Sequence, residues 1–221
     1  MRESLSSSED AELYRLFEQY YSHVSRDLFE RDLDDKDWVL MLRDRHGVVK
    51  GFTTLKLYDT KLLGRRVRAL FNGNTIIDQA YWGEQELVRT WCRFMAQLKM
   101  AEPEVALYWY LICSGYRTYM FLPLFFKNFY PRFDGRRFSL ERFLVDYFGE
   151  LKFAQEYNDG GIHMAEPREC LRPELARPSS AKLRNPHVRF FVDSNPGYLG
   201  EGQERDMTIF SRKGSIGGLV T

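Results

Sequence analysis

At 221 residues, with 44% hydrophobic and 15% aromatic side chains, the chain can bury one large core, which excludes a disordered protein. Its 32 basic and 31 acidic residues nearly cancel, so no overall field draws it to nucleic acid or an anionic membrane. Cys92, Cys113 and Cys170 lack CxxC spacing, which fits a reducing cytoplasm and excludes a disulfide framework or cysteine zinc site.

The polar, acidic start MRESLSSSED is unlike a signal peptide. Ser6 to Ser8 before Glu9, Asp10 and Glu12 set up a helix start, and Leu13, Leu16, Phe17, Tyr20, Tyr21 and Val24 continue it as an apolar stripe. A short second helix is expected around Arg26 to Leu33. Trp38 to Leu42, the turn Asp44 to Gly47 and Val48 to Tyr58 read as a hairpin. A further turn, Lys61 to Arg66, carries Gly64 and clusters Lys61, Arg65, Arg66 and Arg68; it is a solvated tip or a surface for a phosphate or a carrier protein.

The next strand runs from Val67 to Ile77, interrupted by Asn72, Gly73 and Asn74, which predict a bulge. The bulge either turns a polar side chain toward an acceptor pocket or faces solvent. After a turn at Tyr81-Trp82-Gly83, Leu87, Val88, Trp91, Met95 and Leu98 mark a helix starting at Gly83. Glu104 to Cys113 is continuously apolar, as a strand covered on both faces is, and the crossover helix predicts that it runs parallel to the strand ending at Ile77. Tyr116 to Tyr130 reads as one helix containing Pro123. The apolar stretch Val105 to Pro131 is broken by Ser114, Gly115, Arg117 and Lys127, so no membrane span is expected.

Beyond it, Phe138, Leu140, Phe143, Leu144, Tyr147, Phe148 and Leu151 share one face of an extra helix, and Asn158 to Asn185 reads as a Pro-rich loop. The helical stripe is expected to act as a lid or to dock on a second copy, making a homodimer. His187 to Asp193 and Met207 to Phe210 are expected as the last two strands, and the tail from Gly214 as frayed. His23, His46, His163 and His187 show no ligand spacing, so no metal is expected.

The stretch from Ile77 to Leu87 resembles the central motif of the GNAT family, the GCN5-related N-acyltransferases. That motif runs from a strand end through an aromatic to Arg/Gln-x-x-Gly-x-Gly/Ala. Ile77 and Tyr81 match the strand end and aromatic, and Gly83 matches a glycine. Trp82 stands where an arginine would, Gln85 where a glycine would and Leu87 at the last small position. The element order over residues 9–131 is also the family's. The resemblance implies one α/β (α+β) GNAT-like domain over residues 1–221. Its sheet would be mixed and mostly antiparallel, with helices on both faces and residues 136–186 inserted before the last two strands.

The resemblance further implies transfer of an acyl group from coenzyme A or an acyl carrier protein to a small-molecule amine or peptide, with no tightly bound cofactor. Donor contacts then fall on Ile76, Ile77, Trp82, Gly83, Gln85 and Leu87, with Cys113 to Gly115 opposite. Chemistry falls on Asn72, Ser114, Tyr119 and Tyr130, because Phe125 occupies the place of the family's proton-donating tyrosine. Glu84 and Glu86 put negative charge where a pyrophosphate would sit, so coenzyme A binding is expected to be weak. A catalytically inactive binding module of the same fold is the alternative.

Overall fold

The computed structural model describes residues 5–113, 115–126, 129–135, 139–154, 156–158, 161–164, 169–196 and 205–213. Helix α1 (Ser7–Tyr20) opens on a reciprocal cap. The Ser6 hydroxyl accepts the Glu9 N–H at 3.3 Å, and the Glu9 carboxylate accepts the Ser6 N–H at 2.9 Å. Tyr21, expected to extend this helix, instead enters the short strand β1 (Tyr21–Ser22). Helix α2 (Arg26–Asp34) is capped by Ser25.

Strands β2 (Trp38–Arg43), β3 (Val49–Leu62) and β4 (Arg65–Ile77) form the expected antiparallel meander. Thr53 pairs with Thr75 and Leu55 with Asn72, so Gly73 and Asn74 of β4 oppose Thr54 alone. This is the bulge that the polar interruption predicts. A 3-10 turn (Gln79–Tyr81) leads to α3 (Glu86–Ala101), then β5 (Ala106–Ile112).

Two short helices follow, α4 (Tyr116–Tyr119) and α5 (Phe121–Phe125), where one helix to Tyr130 is expected. The break falls at Met120, and Pro123 sits in the first turn of α5, where its missing N–H costs no hydrogen bond. Helix α6 (Ser139–Phe153) is the expected extra helix. Its apolar stripe divides: Leu144 and Phe148 are buried, whereas Leu140, Phe143 and Leu151 are exposed.

The expected loop from Asn158 instead contains structured pieces. These are β6 (Tyr157–Asn158), β7 (Gly161–Met164), β8 (Cys170–Leu171) and α7 (Pro173–Ala176). His187 to Asp193, expected as a strand, lies in helix α8 (Pro186–Ser194). The Asn185 side chain accepts the His187 N–H at 2.9 Å and Pro186 takes the first helical position, both strong helix-start signals. Strand β9 (Arg205–Lys213) contains Met207 to Phe210 as expected, and the tail from Gly214 lies outside the described residues.

The fold is α/β with a mixed, mostly antiparallel sheet. The chain divides into two compact units, the first holding residues 1–20 and 24–109 and the second residues 21–23 and 110–213, so that the division crosses β5 between Trp109 and Tyr110. In the first unit the strand order is β2-β3-β4-β5. Phe52 and Thr53 are successive residues of β3, so they point to opposite faces. Phe52 meets Phe29 of α2 at 6.4 Å between ring centroids, and Thr53 bonds Asn72, which in turn contacts Trp91 of α3. Helices therefore cover both faces of this unit. In the second unit the order is β5-β9-β7-β6, and β1 pairs with β8 apart from that sheet. Its core gathers Tyr110, Tyr119, Phe129, Phe148 and Phe191, each buried.

Candidate functional site

Strand β4 ends in a set of interlocked polar contacts. The Asp78 N–H donates to the Lys50 carbonyl at 2.8 Å, and the Asp78 carboxylate caps the 3-10 turn by accepting the Ala80 N–H at 3.1 Å. Lys50 Nζ lies 3.6 Å from the same carboxylate. The Tyr20 hydroxyl accepts the Gln79 N–H. Burial chiefly, with Asp78 beside it, raises the pKa of that phenol and keeps its proton in place. Tyr20 and Lys50 are neighbours of the strand end that the sequence does not flag, since Tyr20 reads as core and Lys50 as an ordinary strand cation.

Ile76 pairs with Phe52, is buried, and faces α1 and α2. Ile77 pairs with Gly51 and is half-buried. Its carbonyl, a position the resemblance assigns to a pantetheine amide, accepts the Trp82 indole N–H at 2.9 Å. Trp82 is itself exposed.

Gly83 has φ +105°, a backbone that favours glycine, but it does not start α3. The helix begins at Glu86 with Gln85 as its N-cap, because the chain first spends Asp78 to Glu84 on the 3-10 turn and its closing bonds. Gln85 makes no side-chain capping bond, so the end of this 16-residue helix is open. Glu84 and Glu86 are exposed there, and Arg89 Nη1 meets Glu86 at 2.5 Å. Leu87 is buried against the unit's interior, which leaves the loop no small residue at that point.

Asn72 is buried, and its amide is engaged within the first unit. Its Oδ1 accepts Trp109 Nε1 at 2.7 Å and Trp91 Nε1 at 3.1 Å, and its Nδ2 donates to Thr53 Oγ1 at 3.0 Å. Thr53 Oγ1 continues to Thr75 Oγ1 at 2.7 Å. The signal for this network is legible in retrospect: a polar residue in an apolar strand, and two indoles that need acceptors when buried.

In the second unit Tyr119 is buried among Phe129, His187, Phe190 and Phe191, stacking on Phe191 at 5.9 Å. Burial, with Cys113 adding to it, pushes its hydroxyl pKa up. Cys113 is buried and its thiol pKa is likewise raised. Tyr130 is half-buried, Phe125 is exposed, and Ser114 lies outside the described residues.

Two of the four cations of the basic turn are neutralised within the first unit. Arg66 bonds Asp59 and Glu102, and Arg68 Nη1 reaches Glu102 at 3.1 Å. Among the described residues no group of three or more His, Cys, Asp or Glu is placed to hold a metal, and no helix is long and apolar enough to cross a membrane.

No family model matches the sequence, and no curated protein matches it. Several solved structures align with it. A conserved protein of Enterococcus faecalis described as a probable N-acyltransferase aligns at 17% identity and TM-score 0.42, over 52% of this chain and 29% of that one. A GNAT-family N-acetyltransferase from Escherichia coli, solved in complex with CoA, aligns at 14% identity and TM-score 0.37, over 52% of this chain and 61% of that one. The match thus spans less than two thirds of either of these proteins. The ribosomal-protein-S18-alanine N-acetyltransferase of Escherichia coli aligns at 13% identity and TM-score 0.40, over 99% of this chain and 96% of that one. All three alignments are at low identity, 13–17%, with TM-scores of 0.37–0.42.

Proposed function

We propose that the chain is an acyltransferase-like protein whose donor is a pantetheine thioester lying along the end of β4. The observation that carries this reading is the open N-terminus of α3, directly after the strand end and its turn. Uncapped N–H groups there can take acceptor atoms of a donor. An amine attacks the thioester carbonyl carbon, a C–N bond forms, the C–S bond breaks, and the leaving thiolate takes up a proton.

The exposed carboxylates of Glu84 and Glu86 oppose a pyrophosphate at the same helix end. An acyl carrier protein, which presents its arm from outside, asks less of that loop than coenzyme A does. A second reading is favoured by one contact: the Trp82 indole already occupies the Ile77 carbonyl. On that reading the chain is an inactive binding module with the strand end sealed.

Titration calorimetry with acetyl-coenzyme A, a long-chain acyl-coenzyme A, free coenzyme A and S-acyl-pantetheine separates the two. The acyltransferase reading expects weak binding of the thioesters, with acyl-pantetheine within about threefold of its coenzyme A counterpart because the pyrophosphate adds little. Absence of binding by every thioester leaves the binding-module reading. Submicromolar coenzyme A affinity would overturn the assigned role of Glu84 and Glu86.

A further inference from the structure

At the opposite end of β4 the hairpin closes through two residues, since Leu62 pairs with Arg65. Both central residues have positive φ, Leu63 at 49° and Gly64 at 76°, the signature of a tight turn that prefers Asn-Gly. Leucine is poorly suited to that backbone. It is also 82% exposed, the most exposed large apolar residue among those described. The chain therefore accepts backbone strain and exposed apolar surface at one residue, with no packing within the fold to offset either.

The charges around it are sorted. Arg66, at the base of the tip, is held by Asp59 and Glu102. Lys61 and Arg65, which flank Leu63, are exposed and have no acidic partner among the described residues. A lone apolar side chain between two unneutralised cations is too small for a stable protein–protein interface, which needs roughly 1,000 Å² or more. A lipid headgroup layer requires no matching pocket and receives an apolar tip flanked by cations. The 13 residues of β4 separate this tip from Ile77 by roughly 40 Å, beyond the reach of a pantetheine arm. A carrier protein docked here could not serve the strand end.

We propose that the tip from Lys61 to Arg65 is a docking point for an anionic lipid surface, with Leu63 entering the headgroup region and Lys61 and Arg65 meeting lipid phosphates. One apolar residue and two cations give reversible, salt-sensitive attachment rather than permanent anchoring. The near-zero overall charge does not oppose this, because surface attraction acts within about a Debye length of the membrane.

Vesicle co-sedimentation of the full chain tests the proposal, with vesicles of phosphatidylcholine alone and of phosphatidylcholine mixed with phosphatidylserine. Wild type is expected to sediment with the mixed vesicles, less with the neutral ones, and to be released by salt. The variant Leu63→Asn installs the Asn-Gly pair that the turn prefers. It should melt no lower than wild type while losing about tenfold or more in vesicle partitioning. Lys61→Gln and Arg65→Gln should each lose about fivefold on mixed vesicles alone. Failure of wild type to bind mixed vesicles, equal binding to both vesicle types, or unchanged binding by Leu63→Asn would each overturn the proposal, whatever the donor titrations give.

Discussion

Trp109 donates its indole N–H to Asn72 Oδ1 at 2.7 Å, and Trp91 donates to the same oxygen at 3.1 Å, with the two indole rings 4.5 Å apart. One buried amide thus joins the bulged strand β4 to α3 and to the first half of β5. Asn72→Ala leaves two indole N–H groups without this partner, while Thr53 keeps its bond to Thr75. Trp109 is buried and Trp91 half-buried, and a buried polar group that loses its partner costs about 1–3 kcal/mol, so the variant should lose about 1–3 kcal/mol in urea unfolding. Tryptophan emission should shift as well. A loss below about 1 kcal/mol would remove Asn72 from its structural role.

Gly73 sets the bulge. A Cβ there would lie 2.4 Å from Thr54 Oγ1 and 2.8 Å from Lys36 Cε. Lys36 cannot easily yield, because its ammonium donates to the Asp32 carboxylate at 2.6 Å and is buried. Gly73→Ala should therefore destabilise by about 1–3 kcal/mol. Adding Thr54→Gly to that variant removes the closer clash, so the pair should lose less than the sum of the two single changes in denaturant titrations.

The Trp82 contact gives a prediction on binding. Trp82→Phe keeps an aromatic ring but frees the Ile77 carbonyl. If a donor amide uses that carbonyl, acyl-pantetheine should bind about fivefold more tightly, the equivalent of one net hydrogen bond of about 1 kcal/mol. Unchanged or weaker binding would show that the strand end is not where the donor lies.

His187 supplies a pH dependence. Burial, and then the nearby Arg132, lower its pKa from the ordinary value of 6.5, with Asp134 acting the other way. The folded state therefore binds this proton less readily than the unfolded chain does. The stabilising contribution is present above 6.5 and is lost as pH falls from there through the lowered value. Thermal melts below neutrality should show His187→Phe losing less stability than wild type over that window.

The sequence by itself determined the local elements whose signals are short-range. The Ser6–Glu9 cap, the meander β2 to β4, the bulge at Gly73 and Asn74, helix α3 and the buried run of β5 all follow from capping chemistry and side-chain period. The helix α8 was legible too, in Asn185-Pro186, but the apolar run Val188 to Val192 suits either period and hides it. What only the tertiary structure decided is how the polar side chains are used. Asn72 is saturated by two indoles far along the chain, Arg66 is neutralised by Glu102, and Trp82 folds back on Ile77. The identity of a hydrogen-bond or ionic partner depends on long-range proximity, and no local pattern encodes it. The same limit applies to Leu63: its residue type is plain in the sequence, but its positive φ and exposure exist only once β3 and β4 pair.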